Sequence, residues 1–384
     1  MSKDTHKRVG VPEGASTLPG RYYADPEILN KEIEHVFQAM WICAGREDEI
    51  PNPGDYVVRD IGTENILIIR DERGKVHAFY NVCRHRGSRL CHEPCGTVQG
   101  SIQCQYHAWT YGLDGRLSGA PHMNEVKTFD KNEWPLKDVG CEVWDGHIFI
   151  NLAEERAPLL KQLGDLPERF GRFRMGDLRR GGRVNYDVAA NWKLIVENYS
   201  ECYHCPLIHP DLNRVTHYLS GRNDTIADFY NGGYQIIGEE YCTLTVEGRQ
   251  TRSYFKGIDK EDHNRVYYYT IYPNFLLSLH PDYMMTHTLW PKGPGQTQVI
   301  CEWHFEPEQM AKAEFDASDA IGFWDMTNRQ DWRACEITQL GVTSKAYTPG
   351  PFSHQEDLLY VFDRFVVERL EGPPAKPRKI ASVR

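Results

Sequence analysis

The sequence predicts an α+β protein made of a small all-β domain followed by a larger domain of strands and long helices. From Trp41 to about Leu152, short β-type runs alternate with turns rich in Gly, Pro and Asp. Beyond Ala153, strand-like segments are followed by long amphipathic stretches at helical spacing, which is typical of an α+β arrangement. The 384 residues, 40% hydrophobic and 26% charged, suit a globular protein of two domains.

The N-terminal residues 1–40 are predicted to form an arm and a helix that pack with the second domain. The first 20 residues are rich in Gly, Pro, Ser and charge, so we expect a loose arm. Asp25 and Pro26 then begin a run whose apolar residues recur at helical spacing as far as Met40. Asp25 is the expected N-cap and Pro26 the first helical residue.

Short strands joined by tight turns predict the first domain, which we assign to residues 41–155. Residues 65–70 form an apolar strand that a turn connects to a second strand at 76–80. The Asp-Gly pair at 114–115 indicates a hairpin, and residues 146–151 form the closing strand. A domain of this kind carries any metal ligands on its loop tips.

The second domain is assigned to residues 156–384 and is expected to hold the catalytic site. Its predicted elements are, in chain order, a strand at 183–188, a helix at 191–204, several strands between 225 and 305, and helices at 307–339 and 355–370. The tail after Gly372 is rich in Pro and Lys, and we expect it to be frayed.

Two pairs of metal-binding residues lie in the first domain, Cys83 with His85 and Cys104 with His107. Two thiolates and two imidazoles suit a [2Fe–2S] cluster with two Cys on one iron and two His on the other. A structural zinc site takes the same four ligands, but zinc fingers usually place both Cys before both His. The order Cys, His, Cys, His therefore favours the iron–sulfur cluster, which transfers single electrons.

A second candidate metal site lies in the larger domain, where His204 and His209 are five residues apart. This spacing does not place both on one clean helix face, but Pro206 and Pro210 break the helix and can turn His209 back toward a metal. Two His and one carboxylate leave open positions on iron, as in non-haem Fe(II) oxygenases. The alternative is that both histidines only fill a helix end.

Composition and missing motifs exclude several other classes of function. The formal net charge of −10 argues against nucleic-acid binding, and no apolar run approaches the roughly 18–20 residues that span a bilayer. Eleven cysteines without an export signal predict mostly free thiols in a reducing, cytoplasmic compartment. Neither a Rossmann fingerprint nor a plant-type ferredoxin motif is evident, so electrons from NAD(P)H must come through a separate protein.

The Cys–His pairs, in the contexts Cys83-Arg-His-Arg-Gly and Cys104-Gln-Tyr-His-Ala-Trp, resemble the Rieske domain of ring-hydroxylating oxygenase α subunits. Rieske proteins of respiratory complexes carry two further cysteines where this chain has Ser88 and Tyr106, so the oxygenase branch is favoured. The resemblance implies a Rieske [2Fe–2S] domain, a mononuclear Fe(II), and a catalytic domain in which a curved antiparallel sheet grips a long helix. Cys202 and Cys205, a C-x2-C pair that alone suggests redox or zinc chemistry, then become structural residues.

The resemblance also implies the third iron ligand. The family carries an Asp on a C-terminal helix, followed by Glu and Gln, and Asp331 with Glu336 and Gln339 matches that pattern. Asp331 is therefore the predicted ligand beside the two histidines. Asp325 is the rival, but it lacks Glu and Gln at the matching offsets.

Glu201 occupies the position of the family's acidic residue that connects the two metal sites. The resemblance implies that Glu201 hydrogen-bonds His204 and a Rieske histidine, His107, of a neighbouring subunit in a homotrimer. Many dioxygenases have Asp at this position, whereas single-component members that oxidise trimethylammonium compounds share the Glu. The segment 347–353 with Glu356 also resembles the glycine-betaine- and carnitine-type oxygenases.

We therefore expect a terminal oxygenase component that activates O2 and hydroxylates or N-demethylates a small quaternary ammonium compound or aromatic acid. The alternatives are a cis-dihydroxylating aromatic-ring dioxygenase and, in another class, a Rieske electron-transfer protein or [2Fe–2S] sensor. The expected partners are O2, a separate reductase with or without a ferredoxin, and further copies of the chain, without nucleic acid or membrane. Arginines near the cluster are a candidate docking patch. Aromatic residues of the strands can line the pocket, but alternation along a strand lets only half of them face it. The arginines are Arg84, Arg86, Arg89 and Arg116, and the aromatic residues are Tyr267, Tyr268, Tyr269, Tyr272, Phe275 and Trp290.

Overall fold

The computed structural model describes residues 10–249 and 251–372. Residues 1–9 of the expected arm and the expected frayed tail from residue 373 onward lie outside this range. Within it, the α+β class predicted from the sequence is confirmed: a small β domain precedes a domain in which a curved antiparallel sheet holds a long helix. The division of the chain at 40/41 and 155/156 stays our working partition.

The N-terminal segment forms two short helices, α1 (Arg21–Ala24) and α2 (Pro26–Glu32), followed by a π-helical turn. The Asp25 side chain accepts the N–H of Glu27 at 2.8 Å, and Pro26 is the first residue of α2. The predicted N-cap is therefore confirmed. The carboxylate of Glu32, at the end of α2, is buried against the second domain.

The first domain contains a seven-stranded antiparallel sheet and a small three-stranded sheet. Its strands are β1 (Ile42–Arg46), β2 (Asp55–Ile61), β3 (Glu64–Arg70), β4 (Val76–Tyr80), β5 (Cys95–Thr97), β6 (Ser101–Gln103), β7 (Thr110–Gly112), β8 (Leu117–Gly119), β9 (Asp138–Trp144) and β10 (His147–Asn151). The large sheet has the order β1-β10-β9-β4-β3-β2-β5, and the small one β6-β7-β8. The small sheet carries the loop with the second Cys–His pair.

The second domain is built on another seven-stranded sheet, in which every described pair of neighbours is antiparallel. Its strands are β11 (Arg179–Val188), β12 (Arg222–Ile226), β13 (Tyr230–Ile236), β14 (Arg265–Ile271), β15 (Phe275–Leu279), β16 (Met284–Gly293) and β17 (Gln296–Phe305), in the order β11-β17-β16-β15-β14-β13-β12. One face of this sheet packs against the helices that carry the metal site.

The described helices of this domain are α3 (Leu159–Leu163), α4 (Leu166–Phe170), α5 (Trp192–Tyr199), α6 (Cys205–Ile208), α7 (Pro210–Val215), α8 (Pro307–Met310), α9 (Ser318–Val342) and α10 (Asp357–Glu371). Among them, α9 is the longest at 25 residues and packs against α5 and β11. This contact brings the C-terminal half of the chain to the histidines that follow α5.

Two predicted helices are shorter than the sequence pattern indicated. The helix expected at 191–204 ends at Tyr199, because the Glu201 carboxylate accepts the N–H groups of Tyr203 and His204 in place of helical carbonyls. The helix expected at 307–339 is split into α8 and α9. The Asp316 side chain accepts the N–H of Ser318 at 2.8 Å, which starts α9 as a separate helix.

Ion pairs between glutamates and arginines join the two sheets. The Arg183 guanidinium on β11 donates to Glu49, which follows β1, at 3.0 Å, and to Glu302 on β17 at 2.8 Å. Burial alone raises the pKa of Glu49, but Arg59 and Arg183 hold that pKa below its usual value. The charges are therefore paired where the two domains meet. No helix among the described residues is long and apolar enough to cross a membrane.

Candidate metal centres

The two Cys–His loops of the first domain have nearly the same backbone. The Cys83 N–H donates to the Ser88 carbonyl at 2.8 Å, and the Gly87 N–H donates to the Cys83 carbonyl at 3.0 Å. In the second loop the Cys104 N–H donates to the Trp109 carbonyl at 2.8 Å, and the Ala108 N–H donates to the Cys104 carbonyl at 3.0 Å. Gly87 and Ala108 both have a positive φ, 75° and 54°, which each loop needs at this position. The two loops therefore present their side chains to each other as a pair.

The four candidate ligands are divided between the interior and the surface. Cys83 and Cys104 are buried at 2% exposure each, whereas His85 and His107 are exposed, with ring centroids 4.6 Å apart. Trp109 stacks on His85 at 4.9 Å with an angle of 6° between the rings. This donor set fits a cluster whose thiolate-bound iron lies inside and whose imidazole-bound iron lies at the surface.

A buried tyrosine contacts the first cysteine. Tyr111 Oη lies 3.4 Å from Cys83 Sγ and accepts the Arg84 N–H at 3.0 Å, so its own proton is directed to the sulfur. Burial, and next the bond to Cys83, raise the pKa of Tyr111 far above its usual value, which keeps the phenol protonated. Hydrogen bonds to cluster thiolates raise the reduction potential. The Arg84 side chain donates to the Pro135 carbonyl at 2.8 Å and therefore holds the loop.

The second candidate centre is formed where α9 passes the turns around α6. His204 precedes α6, His209 lies between α6 and α7, and Asp331 lies on α9. Asp331 Oδ1 is 2.7 Å from His209 Nε2 and 3.4 Å from His204 Nε2, and one donor atom from each residue lies within 4.8 Å of the others. Two ligands on one ion are about 3 Å apart at bond lengths of about 2.0–2.2 Å, so the three side chains fit a single metal.

Each histidine is oriented by an acceptor on its other ring nitrogen. His204 Nδ1 lies 2.5 Å from Glu201 Oε1, and His209 Nδ1 lies 2.7 Å from Gln330 Oε1. Nδ1 therefore carries the proton in both rings, and Nε2 faces Asp331. The sequence reasoning anticipated the contact of Glu201 with His204 but missed Gln330. Its position directly before the predicted ligand Asp331 was the available signal.

Charge holds the three side chains together before any metal binds. Burial alone lowers the pKa of His204, but hydrogen bonds to Asp331 and Glu201 outweigh burial and raise this pKa to about 10. Burial raises the pKa of Asp331, but its bonds to His204 and His209 hold the pKa below its usual value. A metal cation can replace the proton that these groups share.

Asp325, the rival candidate for the third ligand, makes other contacts. Asp325 Oδ1 accepts the Tyr186 hydroxyl at 2.7 Å, and Oδ2 accepts Arg329 Nε at 2.9 Å. The helix thus places Asp325 with Tyr186 and Arg329 and brings Asp331 to the histidines.

A cavity of about 180 Å³ opens on Glu201 and the three candidate metal ligands. The aromatic residues of its lining include Tyr199 from α5, Tyr268 from β14, His287 from β16, and Trp324 and Trp332 from α9. Neighbouring rings meet edge to face, as in Tyr199–Tyr268 at 6.1 Å and 79°, and His287–Trp332 at 6.0 Å and 90°. The cavity therefore has aromatic walls beside the metal site.

Only Tyr268 of the six aromatic residues expected at the pocket lines this cavity. Successive side chains of a strand point to opposite faces, so Tyr267 and Tyr269 pack instead against Phe170, at 5.5 and 4.9 Å. Tyr272, Phe275 and Trp290 are also buried outside the cavity lining, so one of the six residues faces the cavity rather than the expected half.

The charged residues of the cavity are mainly acidic. Three acidic residues, Glu201, Asp331 and Asp357, line it. Arg222 is the one Lys or Arg among the described lining residues. Burial lowers the pKa of His287 to about 4, so this ring is neutral. Glu201 and Asp331 are already bound by the two histidines, so it is the aromatic faces that favour a cationic ligand.

Comparison with known proteins agrees with both domains. Residues 40–130 match the Rieske [2Fe-2S] domain, and residues 175–372 match the ring hydroxylating alpha subunit (catalytic domain). The glycine betaine monooxygenase oxygenase subunit of Pseudomonas aeruginosa is 30% identical over 365 residues, covering 88% of this chain and 85% of the relative. The carnitine monooxygenase oxygenase subunit of Escherichia coli is 31% identical over 348 residues, covering 88% and 87%.

A solved structure of a quaternary ammonium Rieske monooxygenase, described for carnitine oxidation and inter-subunit electron transfer, has the same architecture. It superposes with a TM-score of 0.77 at 25% identity, covering 95% of this chain and 100% of that chain.

The two domains together define a Rieske-type oxygenase, an oxidoreductase with a [2Fe–2S] cluster and a mononuclear iron. Within that class, the chain belongs to the ring-hydroxylating oxygenase α-subunit family and is a terminal oxygenase component. The alternative of a Rieske electron-transfer protein or sensor does not account for the catalytic domain.

Proposed function

We propose that this chain oxidises a small quaternary ammonium compound at a carbon next to nitrogen, by hydroxylation or N-demethylation. The observation that carries the proposal is the aromatic, mainly acidic cavity that opens on His204, His209 and Asp331. A cation over an aromatic face gains about 0.5–2 kcal/mol, and the gain is largest where water is excluded. The named activities of the glycine betaine and carnitine relatives support the same substrate class.

We assign the metal groups to the residues that the fold brings together. The [2Fe–2S] cluster is assigned to Cys83, His85, Cys104 and His107, and the mononuclear iron to His204, His209 and Asp331. The cluster supplies single electrons, and the iron binds and reduces O2. Glu201 and Gln330 hold the two imidazoles with Nε2 toward the iron position. The aromatic walls hold the ammonium group beside it and exclude water.

We further propose that Glu201 connects the mononuclear site to the Rieske cluster of a neighbouring subunit in a homotrimer. His85 and His107 are exposed in the isolated chain, so a second surface can reach them. Tyr203 and Leu207, which flank the histidine turn, are 57% and 89% exposed, although both are apolar. The inter-subunit electron transfer described for the solved relative supports this arrangement. In this trimer Glu201 hydrogen-bonds His204 of its own chain and the partner subunit's His107.

A separate reductase is proposed as the electron donor. Among the four arginines near the cluster, Arg84 holds a loop, whereas Arg86, Arg89 and Arg116 are exposed. These three form the proposed docking patch for an acidic donor.

Product analysis with a surrogate reductase and 18O2 tests the proposed reaction. With glycine betaine, carnitine and choline as trial substrates, we expect 18O in a hydroxylated product, or formaldehyde in equal amount to the demethylated amine. Small aromatic acids serve as the comparison, and a cis-diol formed from them without turnover of any quaternary amine would replace this proposal by dihydroxylation.

A neutral isostere tests the role of the charge. Replacing the trimethylammonium group of the preferred substrate by a tert-butyl group keeps the shape and removes the cation. We expect affinity to fall by about 1–2 kcal/mol, and by less in a Trp324→Leu variant, which already lacks one aromatic face. Equal binding of both compounds would contradict recognition by cation–π attraction.

A further inference from the structure

A disulfide lies directly beside the iron site and has no role in the proposed reaction. Cys202 and Cys205 form it, and the nine other cysteines of the chain, all within the described residues, are free. Cys205 begins α6, is 2% exposed, and accepts the His209 N–H on its carbonyl at 2.9 Å. The disulfide therefore joins the turn that carries His204 to the helix that leads to His209.

The sulfur of Cys205 lies close to the atoms that bind the metal. Cys205 Sγ is 3.9 Å from His204 Nε2, the nitrogen that lies 3.4 Å from Asp331 Oδ1. On one tetrahedral Zn²⁺, a sulfur at about 2.3 Å and a nitrogen at about 2.0–2.1 Å are about 3.5 Å apart. The distance from Cys205 Sγ to His204 Nε2 is thus within about half an ångström of the spacing of two ligands on one zinc ion.

We propose that this disulfide keeps the iron site open, and that its reduction supplies Cys205 as a fourth ligand beside His204, His209 and Asp331. The inference rests on the assignment of those three residues as ligands. A sulfur bound in a disulfide is not a thiolate, and the thiolate is the form that binds metals. Three protein ligands leave open positions for chemistry, whereas four protein ligands close the tetrahedral coordination that structural zinc sites have. Reduction therefore exchanges an oxygen-activating iron site for a closed zinc site.

The redox step needs a cellular dithiol as co-reactant. The dithiol gives two electrons and two protons to the S–S bond, which breaks into the Cys202 and Cys205 thiols, while the dithiol closes to its own disulfide. When Zn²⁺ binds, the Cys205 thiol releases its proton to water as the Sγ–Zn bond forms. Removal of the metal and oxidation by a small disulfide reverses both steps.

Metal binding to the otherwise intact protein tests the proposal. The Rieske cluster is retained, the mononuclear site is emptied with a chelator, and the protein is either oxidised or reduced with a dithiol that is then removed anaerobically. Zn²⁺ is titrated in competition with a chromophoric chelator, and Co²⁺ serves as the spectroscopic probe. We expect the reduced protein to bind Zn²⁺ roughly tenfold or more tightly than the oxidised protein. Only the reduced protein should show a thiolate-to-cobalt charge-transfer band.

Two serine variants form a matched pair, because both lack the disulfide and only one keeps the relevant thiol. Cys202→Ser should bind Zn²⁺ tightly and show the cobalt–thiolate band without reductant, whereas Cys205→Ser should show neither. The visible spectrum of the Rieske cluster checks that both variants fold. Equal zinc affinities in all forms, or no thiolate band in Cys202→Ser, would overturn the proposal.

The outcome is separable from that of the proposed function. The metal titrations involve no substrate and no turnover, so a missing oxygenation product leaves them valid. Conversely, an oxidised protein that oxygenates quaternary amines and shows no redox-dependent zinc binding keeps its proposed function and loses this inference.

Discussion

At the scale of single residues, two aspartates of the same helix have different roles because of their neighbours. Asp331 lies against His209 and His204, whereas Asp325 is bound by Tyr186 and Arg329. We expect Asp331→Asn to lower Fe(II) affinity more than about 100-fold, because a direct ligand is worth more than its supporting residues. Iron content after gel filtration and the cluster spectrum measure the effect.

Asp325→Asn is the control for that change. It removes a carboxylate from the same helix without touching the histidines, so iron content should stay at the wild-type level. Iron loss in this variant with retention in Asp331→Asn would reverse the ligand assignment.

Gln330 gives a second prediction at this scale, because its carbonyl oxygen accepts the His209 Nδ1 proton at 2.7 Å. Gln330→Met keeps the approximate size and removes the acceptor, so we expect Fe(II) affinity to fall roughly 10- to 100-fold. Gln330→Glu restores an acceptor and should retain iron. Isothermal titration with Fe(II) under anaerobic conditions measures both, and wild-type affinity in Gln330→Met would rule out this positioning role.

At the scale of elements, the cluster loops show how backbone conformation limits the sequence. Gly87 and Ala108 occupy equivalent positions with positive φ, but only one of them is glycine. A left-handed conformation costs a residue with a Cβ about 1–2 kcal/mol. We therefore expect Gly87→Ala to destabilise the first domain by about 1 kcal/mol and Ala108→Gly to stabilise it by a similar amount.

Thermal bleaching of the cluster's visible absorbance measures these opposite effects. Gly171→Ala is the control, since Gly171 has open space around it and is not among the positive-φ glycines. If Gly87→Ala and Ala108→Gly shift the bleaching temperature in the same direction, backbone strain is not the cause.

At the scale of the whole molecule, a buried ionic cluster joins the N-terminal helices to the second domain. Lys193 Nζ donates to Glu32 at 2.6 Å, and Tyr23 Oη donates to Glu197 at 2.9 Å. Asp363 lies beside Glu197 in the same buried cluster. Burial raises the pKa of Asp363 well above its usual value, so this carboxyl is protonated.

A pH dependence of stability follows from Glu197. Burial raises its pKa from the ordinary 4.5 to about 7, although Tyr23 and Lys193 oppose the shift. The folded chain therefore holds a proton that the unfolded chain releases, and this contribution to stability is present below pH 4.5 and lost as the pH rises through 7. Glu197→Gln should remove that decline and leave the protein about 3 kcal/mol more stable than the wild type at pH 8.

Urea unfolding between pH 5 and pH 8 measures the difference. Glu34→Gln replaces an exposed glutamate of the N-terminal segment and should follow the wild-type curve. An unchanged pH slope in Glu197→Gln would show that another group is responsible.

Electron supply is also a property of the assembled molecule. Arg89 is exposed in the cluster region, so Arg89→Glu should raise the reductase concentration needed for half-maximal cluster reduction, most strongly at low salt. Lys161→Glu, an exposed change on α3, is the matched control and should have no effect. Stopped-flow reduction of the cluster at two ionic strengths compares them, and equal saturation would remove Arg89 from the docking patch.

Local sequence patterns were sufficient to predict those features whose geometry is set by residues close in the chain. The Cys–His pairs at 83–85 and 104–107, the Asp25 cap and the β3–β4 hairpin all follow from spacings of a few residues, because turn and cap geometry is set locally. The resemblance extended this to Asp331, which no local spacing connects to His204, and to the role of Glu201, which lies three residues before His204.

Tertiary packing decided the rest. Tyr199, Trp324 and Trp332 become cavity walls, and Gln330 becomes the partner of His209. In each case the contact joins segments distant in sequence, or depends on which face of an element meets another, and periodicity does not contain that information. The sequence by itself therefore determined the donor groups and the order of the two domains. Only the folded chain decided which of those groups share a metal and what surrounds the substrate.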